Sequence, residues 1–406
     1  AYECFRVAFL DSCGNISIQS IEHKTIYLSA TFDVCATTAS LVWNQYINMN
    51  SPVSQYQIFK RVNTGPFTLL ATNTAPDIDY VDTGLALGNN YCYFVRAANG
   101  TKTSSSNRVC DTLNVLQPPL FTYNRYATVL SDKEILITAH VDTAGKSVKS
   151  YKLLRATGTS GSFDSIATLL PPAASTLSYN DKSVSTNINS YSYRWDAMDS
   201  CAHVIMTSNL GTTMLLKGEI APNLDITLTW NDYGDWMGNT NRYDIYRAVD
   251  GVWEPSPFIT YSYTGSGRTH TDDVSLFINS KGIFSYKVVA FEGAGNIYGF
   301  ADSSTSNIAK IYEYPKIYVP NCFTPNGDNM NDIFIPVIGF IEPSSYTLRI
   351  FDNTGTPAFT STNPAEGWDG KKKKHPCQEG VYMYVINCKA SNGDNSQVSG
   401  TVSLIR

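Results

Sequence analysis

A repeat of roughly 95 residues is the feature that most limits how this sequence can fold. Five landmarks recur in the same order: an alternating run that ends near a tryptophan, a tyrosine-headed run, an aspartate before a turn, a second tyrosine-rich run and a closing Ser-Asn. They are found at Trp43 and Trp230, at Tyr56, Tyr151 and Tyr243, at Asp82, Asp181 and Asp272, at Tyr93, Tyr193 and Tyr286, and at Asn107, Asn209 and Asn307. The middle copy, EILITAHVD, lacks the tryptophan. Three copies of one module are therefore expected.

The first residues look like the end of another copy. DSCGN, which begins at Asp11, parallels DSCAH (Asp199 to His203) and EGAGN (Glu292 to Asn296). We therefore expect residues 1–28 to be the last two strands of a truncated module. The chain also starts without a methionine or a leader pattern, so we expect more protein upstream.

The periodicity inside each copy indicates β-structure. Apolar and polar residues alternate over runs of four to eight residues, separated by Gly, Asn, Asp and Pro, and no segment has a sustained 3.6-residue period. Tyrosine is abundant at 26 residues, and aromatic side chains favour strands. The net charge of −5 does not suggest a broad basic surface, so no nucleic-acid partner is expected. No apolar run is long enough for a transmembrane helix.

The repeated module resembles the fibronectin type III domain, a two-sheet antiparallel sandwich. Trp43 and Trp230 correspond to the core tryptophan of its second strand, and the second tyrosine-rich run corresponds to its sixth strand. The fold class is therefore expected to be all-β, with tandem fibronectin type III-like sandwiches. We assign residues 1–28 to the truncated module and residues 29–115, 116–217 and 218–313 to three complete ones. Prolines in QPPL and APNL predict semi-stiff junctions.

A different pattern begins at Tyr314. It contains VPNCFTPNGDNMNDIF, an IFD strand, GWDG, the run PCQEGVYMYVI and a terminal GTVSLIR. Together these motifs resemble the gliding-motility-associated carboxyl-terminal domain, the type B sorting domain of the type IX secretion system of Bacteroidota. The resemblance implies an Ig-like β-sandwich at residues 314–406. A strand at the end of the sequence is held only if it is paired, so we expect GTVSLIR to belong to the fold. In the family an apolar residue is more usual at Cys322 and glycine at Asn329.

The resemblance also assigns a sorting or partner-binding role to the motif residues. These are Pro320, Asn321, Phe323, Thr324, Pro325, Asn326, Gly327, Asp328, Asn331, Asp332, Gly367, Trp368, Asp369, Gly370, Gly380, Val381, Tyr382 and Arg406. The implied partners are the type IX translocon and an outer-membrane β-barrel protein of the PorP/SprF family. The implied location is the extracellular side of the outer membrane, reached through the periplasm. SprB-like gliding adhesins are the best-known proteins of this kind.

The loop NGDNMND leaves two interpretations open. Asn326, Asp328, Asn331 and Asp332 offer oxygen atoms of the kind that a structural Ca²⁺ prefers. Asn, Asp and Gly at this density are also typical of a turn in which side chains accept backbone N–H groups. The spacing is not that of an EF-hand, and NGDN recurs at Asn392 in a hairpin position, which favours the turn. No other cofactor is expected.

The nine cysteines favour an oxidising compartment. No CxxC or Cys–His spacing indicates zinc. Cys92 and Cys110 lie at hairpin distance, which is compatible with a disulfide. The odd count leaves at least one thiol unpaired, and the sequence does not determine the connectivity.

No pattern in the sequence indicates catalysis. The five histidines form no HExxH, and no GxSxG, P-loop or GxGxxG is present. We therefore expect a non-enzymatic stalk and export signal of a surface adhesion or gliding protein, with any surface ligand bound by upstream domains. The alternative is a carbohydrate-binding or enzyme-bearing secreted protein whose functional domain lies upstream. Lys371 to Lys374 form either a solvated hairpin end or a contact for acidic headgroups or an acidic protein loop.

Overall fold

Strands form almost all of the regular structure in the computed structural model, which describes residues 1–115, 117–145, 147–262 and 268–406. In these residues the helices are two short 3₁₀ turns, η1 (Ser275–Phe277) and η2 (Pro343–Ser345). Neither turn approaches the length or apolarity that a membrane-crossing helix needs. The all-β prediction is confirmed. The predicted boundary at residue 116 lies outside the described residues.

The chain divides into two compact units. The first contains residues 1–119 together with 144–149 and 198–205, and the second contains residues 120–143, 150–197 and 206–406. Both disulfides lie within the first unit, joining Cys35 to Cys201 and Cys92 to Cys110. The sequence left the connectivity open, and the structure joins Cys92 to Cys110, the two cysteines at hairpin distance.

The first residues form an antiparallel hairpin that contains β1 (Cys4–Phe5) and β2 (His23–Lys24). Backbone bonds from Ser17 to Phe9 and from Ser20 to Val7 continue it toward the turn. At this turn Asp11 Oδ1 accepts the backbone N–H groups of Cys13 and Asn15. Asp199 Oδ1 does the same for Cys201 and His203. The parallel between DSCGN and DSCAH is therefore a shared turn geometry.

Two facing sheets make up the first complete module. Its strands are β3 (Leu28–Asp33), β4 (Thr38–Trp43), β5 (Gln55–Val62), β6 (Thr68–Thr74), β7 (Asp79–Asp82), β8 (Asn90–Asn99), β9 (Lys102–Ser105) and β10 (Val109–Thr112). One sheet has the order β3-β4-β7 and the other β10-β8-β5-β6, with β9 also paired to β8. Alternate residues point inward, so Leu41 and Trp43 of β4 pack with Tyr93 and Val95 of β8 in one core.

The second and third modules repeat this plan. The second has β11 (Thr122–Ser131), β12 (Glu134–Val141), β13 (Ser150–Thr157), β14 (Asp164–Leu169), β15 (Thr176–Asp181), β16 (Tyr191–Met198), β17 (Val204–Thr207) and β18 (Gly211–Thr212). The third has β19 (Leu216–Ile220), β20 (Asp225–Trp230), β21 (Thr240–Val249), β22 (Val252–Trp253), β23 (Ile259–Ser262), β24 (Thr269–Asp273), β25 (Ile283–Glu292), β26 (Ser303–Thr305) and β27 (Ala309–Tyr312). Their sheet orders are β11-β12-β15 with β14-β13-β16-β17, and β19-β20-β24 with β22-β21-β25-β26. Each module thus combines a three-stranded sheet with a larger one.

The second module replaces its missing tryptophan from another strand. Ala139 of β12 stands where the other modules have Trp43 and Trp230, and it is fully buried. In β16, Trp195 stands where the neighbours have a valine, and it is also fully buried. A small residue on one strand is therefore matched by a large one on the facing sheet. A hydrophobic core tolerates such an exchange of large and small side chains when its total side-chain volume is kept.

The closing Ser-Asn is hydrogen-bonded to two strands in each of the three complete modules. The asparagine amide forms two hydrogen bonds with one residue of the first strand: Oδ1 accepts its N–H, and Nδ2 donates to its carbonyl. These pairs are Asn107 with Leu28, Asn209 with Asn124 and Asn307 with Leu216, at 2.7–3.0 Å. The preceding serine hydroxyl accepts the N–H of Val95, Trp195 or Val288 at 2.9 Å. The side-chain amide thus satisfies the N–H and carbonyl of a first-strand residue, as a neighbouring strand would.

The terminal domain is built around one five-stranded sheet. Its strands are β28 (Lys316–Tyr318), β29 (Cys322–Phe323), β30 (Val337–Gly339), β31 (Thr347–Phe351), β32 (Pro357–Ser361), β33 (Lys371–Lys372), β34 (His375–Pro376), β35 (Gly380–Lys389) and β36 (Asn395–Leu404). The large sheet has the order β29-β36-β35-β31-β32, and β28-β30 and β33-β34 form two small ones. Ten register pairs join β35 to β36. The expectation that the terminal GTVSLIR is part of the fold is confirmed.

Candidate functional site

The loop between β29 and β30 is held together by its own acidic side chains. Asp332 Oδ1 accepts the N–H of Gly327, and its Oδ2 accepts the N–H of Asn329, both at 2.8 Å. Asp328 Oδ1 accepts the N–H of Met330 at 2.7 Å, and its Oδ2 accepts Nδ2 of Asn326 at 3.0 Å. These donors, first the Asn326 amide and then the Met330 N–H, lower the pKa of Asp328. All four carboxylate oxygens are therefore engaged within the loop.

These contacts agree with the turn interpretation of the loop. A calcium ion would need six to eight oxygen ligands, whereas the turn is already ordered by the hydrogen bonds that Asp328 and Asp332 accept. Asn331 instead accepts the N–H of Thr324 with its backbone carbonyl at 2.8 Å. Asn329 has a φ of +64°, a left-handed conformation that asparagine tolerates better than most residues. That explains how Asn329 takes a position where glycine is usual in the family.

The tryptophan of the GWDG motif packs in the core of the terminal domain. Trp368 is fully buried, with ring centroids 5.3 Å from Phe323 and 4.8 Å from Tyr382. Its backbone exchanges two 2.9 Å hydrogen bonds with Phe334. A Cβ at Gly367 would lie 2.7 Å from the Phe334 carbonyl oxygen, so only glycine fits this approach. Three aromatic residues of separate motifs therefore make one core.

Arg406 ties the end of the sequence to the same region. Its Nη1 donates to the Cys377 carbonyl at 2.6 Å, and its Nη2 donates to the Gly370 carbonyl at 3.3 Å. A cavity of about 450 Å³ lies beside it, and the motif residues that line it are Pro325, Asn326, Gly327, Asp332, Asp369 and Arg406. We call it the motif cavity. Segments far apart in the sequence thus meet at one concave surface.

The predicted residues separate into groups. Phe323, Trp368 and Tyr382 are buried in the core, and Gly367 and Gly370 bring backbone segments close together. The motif cavity is lined by Pro325, Asn326, Gly327, Asp332, Asp369 and Arg406. The remaining predicted residues lie outside both the core and the cavity lining. Asn321 accepts the N–H of Ser403 with its carbonyl, and Val381 is exposed on β35. Of the rest, Gly380 is exposed at the start of β35, Asp328 and Asn331 are exposed in the loop, and Pro320 and Thr324 are half-buried.

The family comparison applies to this terminal segment. Residues 317–404 match the family described as the CHU_C Type IX secretion signal domain. The segment is a type IX secretion signal. Such a signal implies export by the type IX secretion machinery to the cell surface. From here residues 317–404 are called the signal domain.

Solved structures provide a second comparison. The chicken CNTN1 FN1-FN3 domains are 14% identical, with 71% of this chain and 96% of theirs covered and a TM-score of 0.21. A segment of two fibronectin type III domains from chicken tenascin is 16% identical, with 46% and 94% covered and a TM-score of 0.20. No curated protein matches the sequence.

Three residues of the motif cavity were not among the sorting residues predicted from the sequence. Ile333, Lys371 and Pro376 also line it. Ile333 lies inside the motif VPNCFTPNGDNMNDIF, and Lys371 begins the lysine run for which the sequence left a contact role open. Pro376 is brought in by the β33–β34 hairpin, and the contacts of Arg406 go to backbone carbonyls. Any residue type can supply a backbone carbonyl, so the sequence does not reveal which residues accept the hydrogen bonds of Arg406.

Upstream of the signal domain, a buried tyrosine, an aspartate and a cation recur together in every module. The tyrosine hydroxyl donates to the aspartate, which also pairs with a lysine or arginine. The groups are Tyr93, Asp82 and Lys60; Tyr193, Asp181 and Arg155; and Tyr286, Asp272 and Arg247, with distances of 2.7–3.0 Å. Burial raises the pKa of each phenol well above its ordinary value. The phenols therefore remain protonated donors, which is a structural role.

One further group upstream of the signal domain has the side chains of a metal site. Potential ligand atoms of Asp199, Cys201 and His203 lie within 4.8 Å of one another. Cys201 is bonded to Cys35, so it offers no thiolate. Asp199 Oδ1 is occupied by two backbone N–H groups of the turn. The arrangement is explained by the turn and the disulfide.

Proposed function

We propose that this chain is the stalk and the export and anchoring signal of a large surface protein that acts in adhesion or gliding. The meeting of separate signature motifs at the motif cavity carries the proposal, because a signal read by a folded partner needs a formed surface. We further propose that the chain has no catalytic role. The buried acids of its repeated modules are committed to tyrosines and cations, as at Asp82, Asp181 and Asp272.

The proposed partner is an outer-membrane β-barrel protein of the PorP/SprF family. The motif cavity presents acidic and basic side chains together: Asp332, Asp369, Lys371 and Arg406 all line it, and Lys371 pairs with Asp369 at 3.0 Å. Asn326 and Gly327 add exposed backbone and amide groups. A surface of mixed charge with fixed loop geometry favours a specific polar contact over general adhesion. Docking here would place the protein on the extracellular side of the outer membrane.

Contacts between the second and third modules support a stalk. Arg125 makes a two-point ion pair with Asp302 at 2.7 and 2.9 Å. Tyr123 donates to Glu292 at 3.2 Å, and both residues are buried. Tyr233 accepts the backbone N–H of Ala127 at 3.0 Å. Buried polar contacts that match across a junction limit its bending, since opening it would leave those groups unpaired.

Truncation and one point variant test the export proposal. A protein that ends at residue 313 should accumulate in the periplasm, measured by fractionation and surface proteolysis. Arg406→Ala should lower surface display because it removes the contacts to Cys377 and Gly370. Arg349→Ala is the matched control, because Arg349 is exposed on β31 outside the motif cavity. Normal surface display of the truncated protein would contradict the proposal.

One observation favours carbohydrate binding as a second candidate. Partly exposed rings cluster in the second unit, where His140 lies 4.7 Å from Phe121, 5.1 Å from Tyr298 and 5.1 Å from Phe300 between ring centroids. Aromatic faces can stack on sugars. Glycan-array binding by the full chain that is lost on Tyr298→Ala and retained on Tyr312→Ala would support this candidate.

A further inference from the structure

The β33–β34 hairpin places a run of lysines at its tip. Lys371 pairs with Pro376 and Lys372 with His375, which leaves Lys373 and Lys374 as a two-residue turn. The hairpin follows the GWDG motif directly. Lys371 and Pro376, the pair furthest from the turn, line the motif cavity. The proposed export function does not explain the lysines at the tip.

The turn has a backbone that lysine does not favour. Lys373 has a φ of +51° and Lys374 a φ of +74°. Two-residue hairpin turns with positive φ at both central positions strongly prefer Asn-Gly, Asp-Gly or Gly-Gly. Side chains with a Cβ are strained in this region, and strain at a surface position points to a function for the side chains. Turn stability therefore does not explain the two lysines.

The hairpin carries more positive charge than the acidic residues beside it, Asp352 and Asp369, can balance. Lys373, Lys374 and His375 are exposed. Among the ion pairs of the described ranges, only Lys371 of this run takes part, with Asp369 at 3.0 Å. The whole chain carries a net charge of −5, so the hairpin is a local reversal of sign. Such a cluster attracts anions over about a Debye length, roughly 10 Å at 0.1 M salt.

A second cavity lies on the other side of the hairpin. It has a volume of about 480 Å³, and Lys372, Lys373 and His375 line it together with Asp352. Asp352 Oδ1 is occupied by the Thr354 hydroxyl at 2.6 Å and the Thr356 N–H at 2.9 Å. These hydrogen bonds, first that from Thr354, lower the pKa of Asp352, so its carboxylate stays charged beside Lys372. The volume of the cavity is large enough for a phosphate group.

We propose that the lysine hairpin binds the phosphate groups of an anionic lipid surface. Lysine ammonium groups are compact point charges that bind phosphate without a fixed approach, whereas specific protein contacts favour the planar fork of arginine. A cluster of basic side chains is attracted to an anionic membrane surface through its charge. Ile333, 52% exposed, shares the motif cavity with Lys371 and offers an apolar side chain beside the charges. This binding to lipid is separate from the proposed export function, which rests on a protein partner.

Binding of the full chain to vesicles tests the proposal. Vesicles of phosphatidylglycerol and phosphatidylcholine should sediment the protein at low salt, and vesicles of phosphatidylcholine alone should not. The variant Lys373→Asn with Lys374→Gly removes both charges and supplies the preferred turn. It should raise the thermal midpoint and weaken vesicle binding by about tenfold or more. Lys373→Arg with Lys374→Arg should retain binding.

A control and a competitor separate the explanations. Lys217→Gln with Lys310→Gln removes two exposed lysines of the third module and should leave binding unchanged. Inorganic phosphate at millimolar concentration should reduce vesicle binding only weakly, because it lacks the many charges of a membrane. If it abolishes vesicle binding, the hairpin is a site for free phosphate and the lipid proposal is wrong. Equal vesicle binding by the Asn-Gly variant and the native chain would overturn the proposal, as would no binding to either vesicle. Surface display of the same variant reports on export separately, so the two proposals can fail independently.

Discussion

The Tyr286 hydroxyl donates a 2.7 Å hydrogen bond to Oδ2 of Asp272, and both residues are buried between the two sheets of the third module. Arg247 approaches the same carboxylate at 2.8 Å. The other two modules hold the same arrangement with their own residues. A buried charge is costly unless it is paired and hydrogen-bonded, and here both conditions are met. The aspartate before the turn thus anchors strand β24 to the facing sheet.

Replacing Tyr286 by Phe should lower the free energy of unfolding of the third module by about 1–2 kcal/mol. The change removes one donor to a buried carboxylate, while the Arg247 contact remains. Urea denaturation of the full chain, followed by tryptophan fluorescence, measures the effect. Tyr312→Phe is the control because Tyr312 is 40% exposed, and it should change the free energy by less than about 0.5 kcal/mol. Equal effects of the two variants would contradict the structural role of the hydroxyl.

The second module should lose stability in acid through Asp181. Burial alone would raise the pKa of this carboxyl, but hydrogen bonds from Ser183, Arg155 and Tyr193 lower it below its ordinary value. A group with a depressed folded-state pKa contributes stability above its unfolded pKa of about 3.9. That contribution falls as the pH drops toward the folded-state pKa. Stability should therefore decline below about pH 4 as the carboxylate protonates.

Asp181→Asn provides the comparison for the acid effect. The variant should be less stable at pH 7, because it loses the charge that pairs with Arg155, and its stability should change less between pH 5 and pH 2. Denaturation curves at each pH give both quantities. A variant whose stability falls as steeply in acid as that of the native chain would assign the acid loss to other carboxylates.

Much of the fold followed from residue patterns, because alternation and turn residues act locally. The repeated runs form strands, and the repeated tyrosines donate hydrogen bonds to the repeated aspartates. The disulfide from Cys35 to Cys201 could not be foreseen, since it joins residues 166 positions apart and depends on tertiary proximity. The compensation between Ala139 and Trp195 was hidden for the same reason. In the signal domain the motifs gave the residues, but the cavity arises from backbone contacts that residue types do not encode.

Asn307→Ala should destabilise the third module by about 2–3 kcal/mol. The amide forms two hydrogen bonds with the backbone of Leu216, and its loss leaves a buried N–H and a buried carbonyl without these partners. Thermal and urea unfolding measure the change. Asn279→Ala is the matched control, because Asn279 is exposed in the same module. A small effect at Asn307 would show that water or a backbone shift replaces the amide.

Calcium should not change the stability of the signal domain. Asp328 and Asp332 already order the loop through hydrogen bonds from its own N–H and amide groups, so we expect its structure to need no ion. The thermal midpoint in millimolar Ca²⁺ should match that in EDTA within about 1 °C, a shift that corresponds to a small fraction of a kcal/mol.

Asp332→Ala should loosen the loop instead. The Gly327 and Asn329 amides would lose their acceptor, and their hydrogen exchange should accelerate by about tenfold or more, as expected for a loss of 1–2 kcal/mol. Asp394→Ala, in the similar NGDN turn between β35 and β36, should leave these amides unchanged because its contact is to Asn392. A calcium-dependent rise of the thermal midpoint that disappears in Asp332→Ala would establish a calcium site. The hydrogen bonds of the loop would then describe its metal-free form.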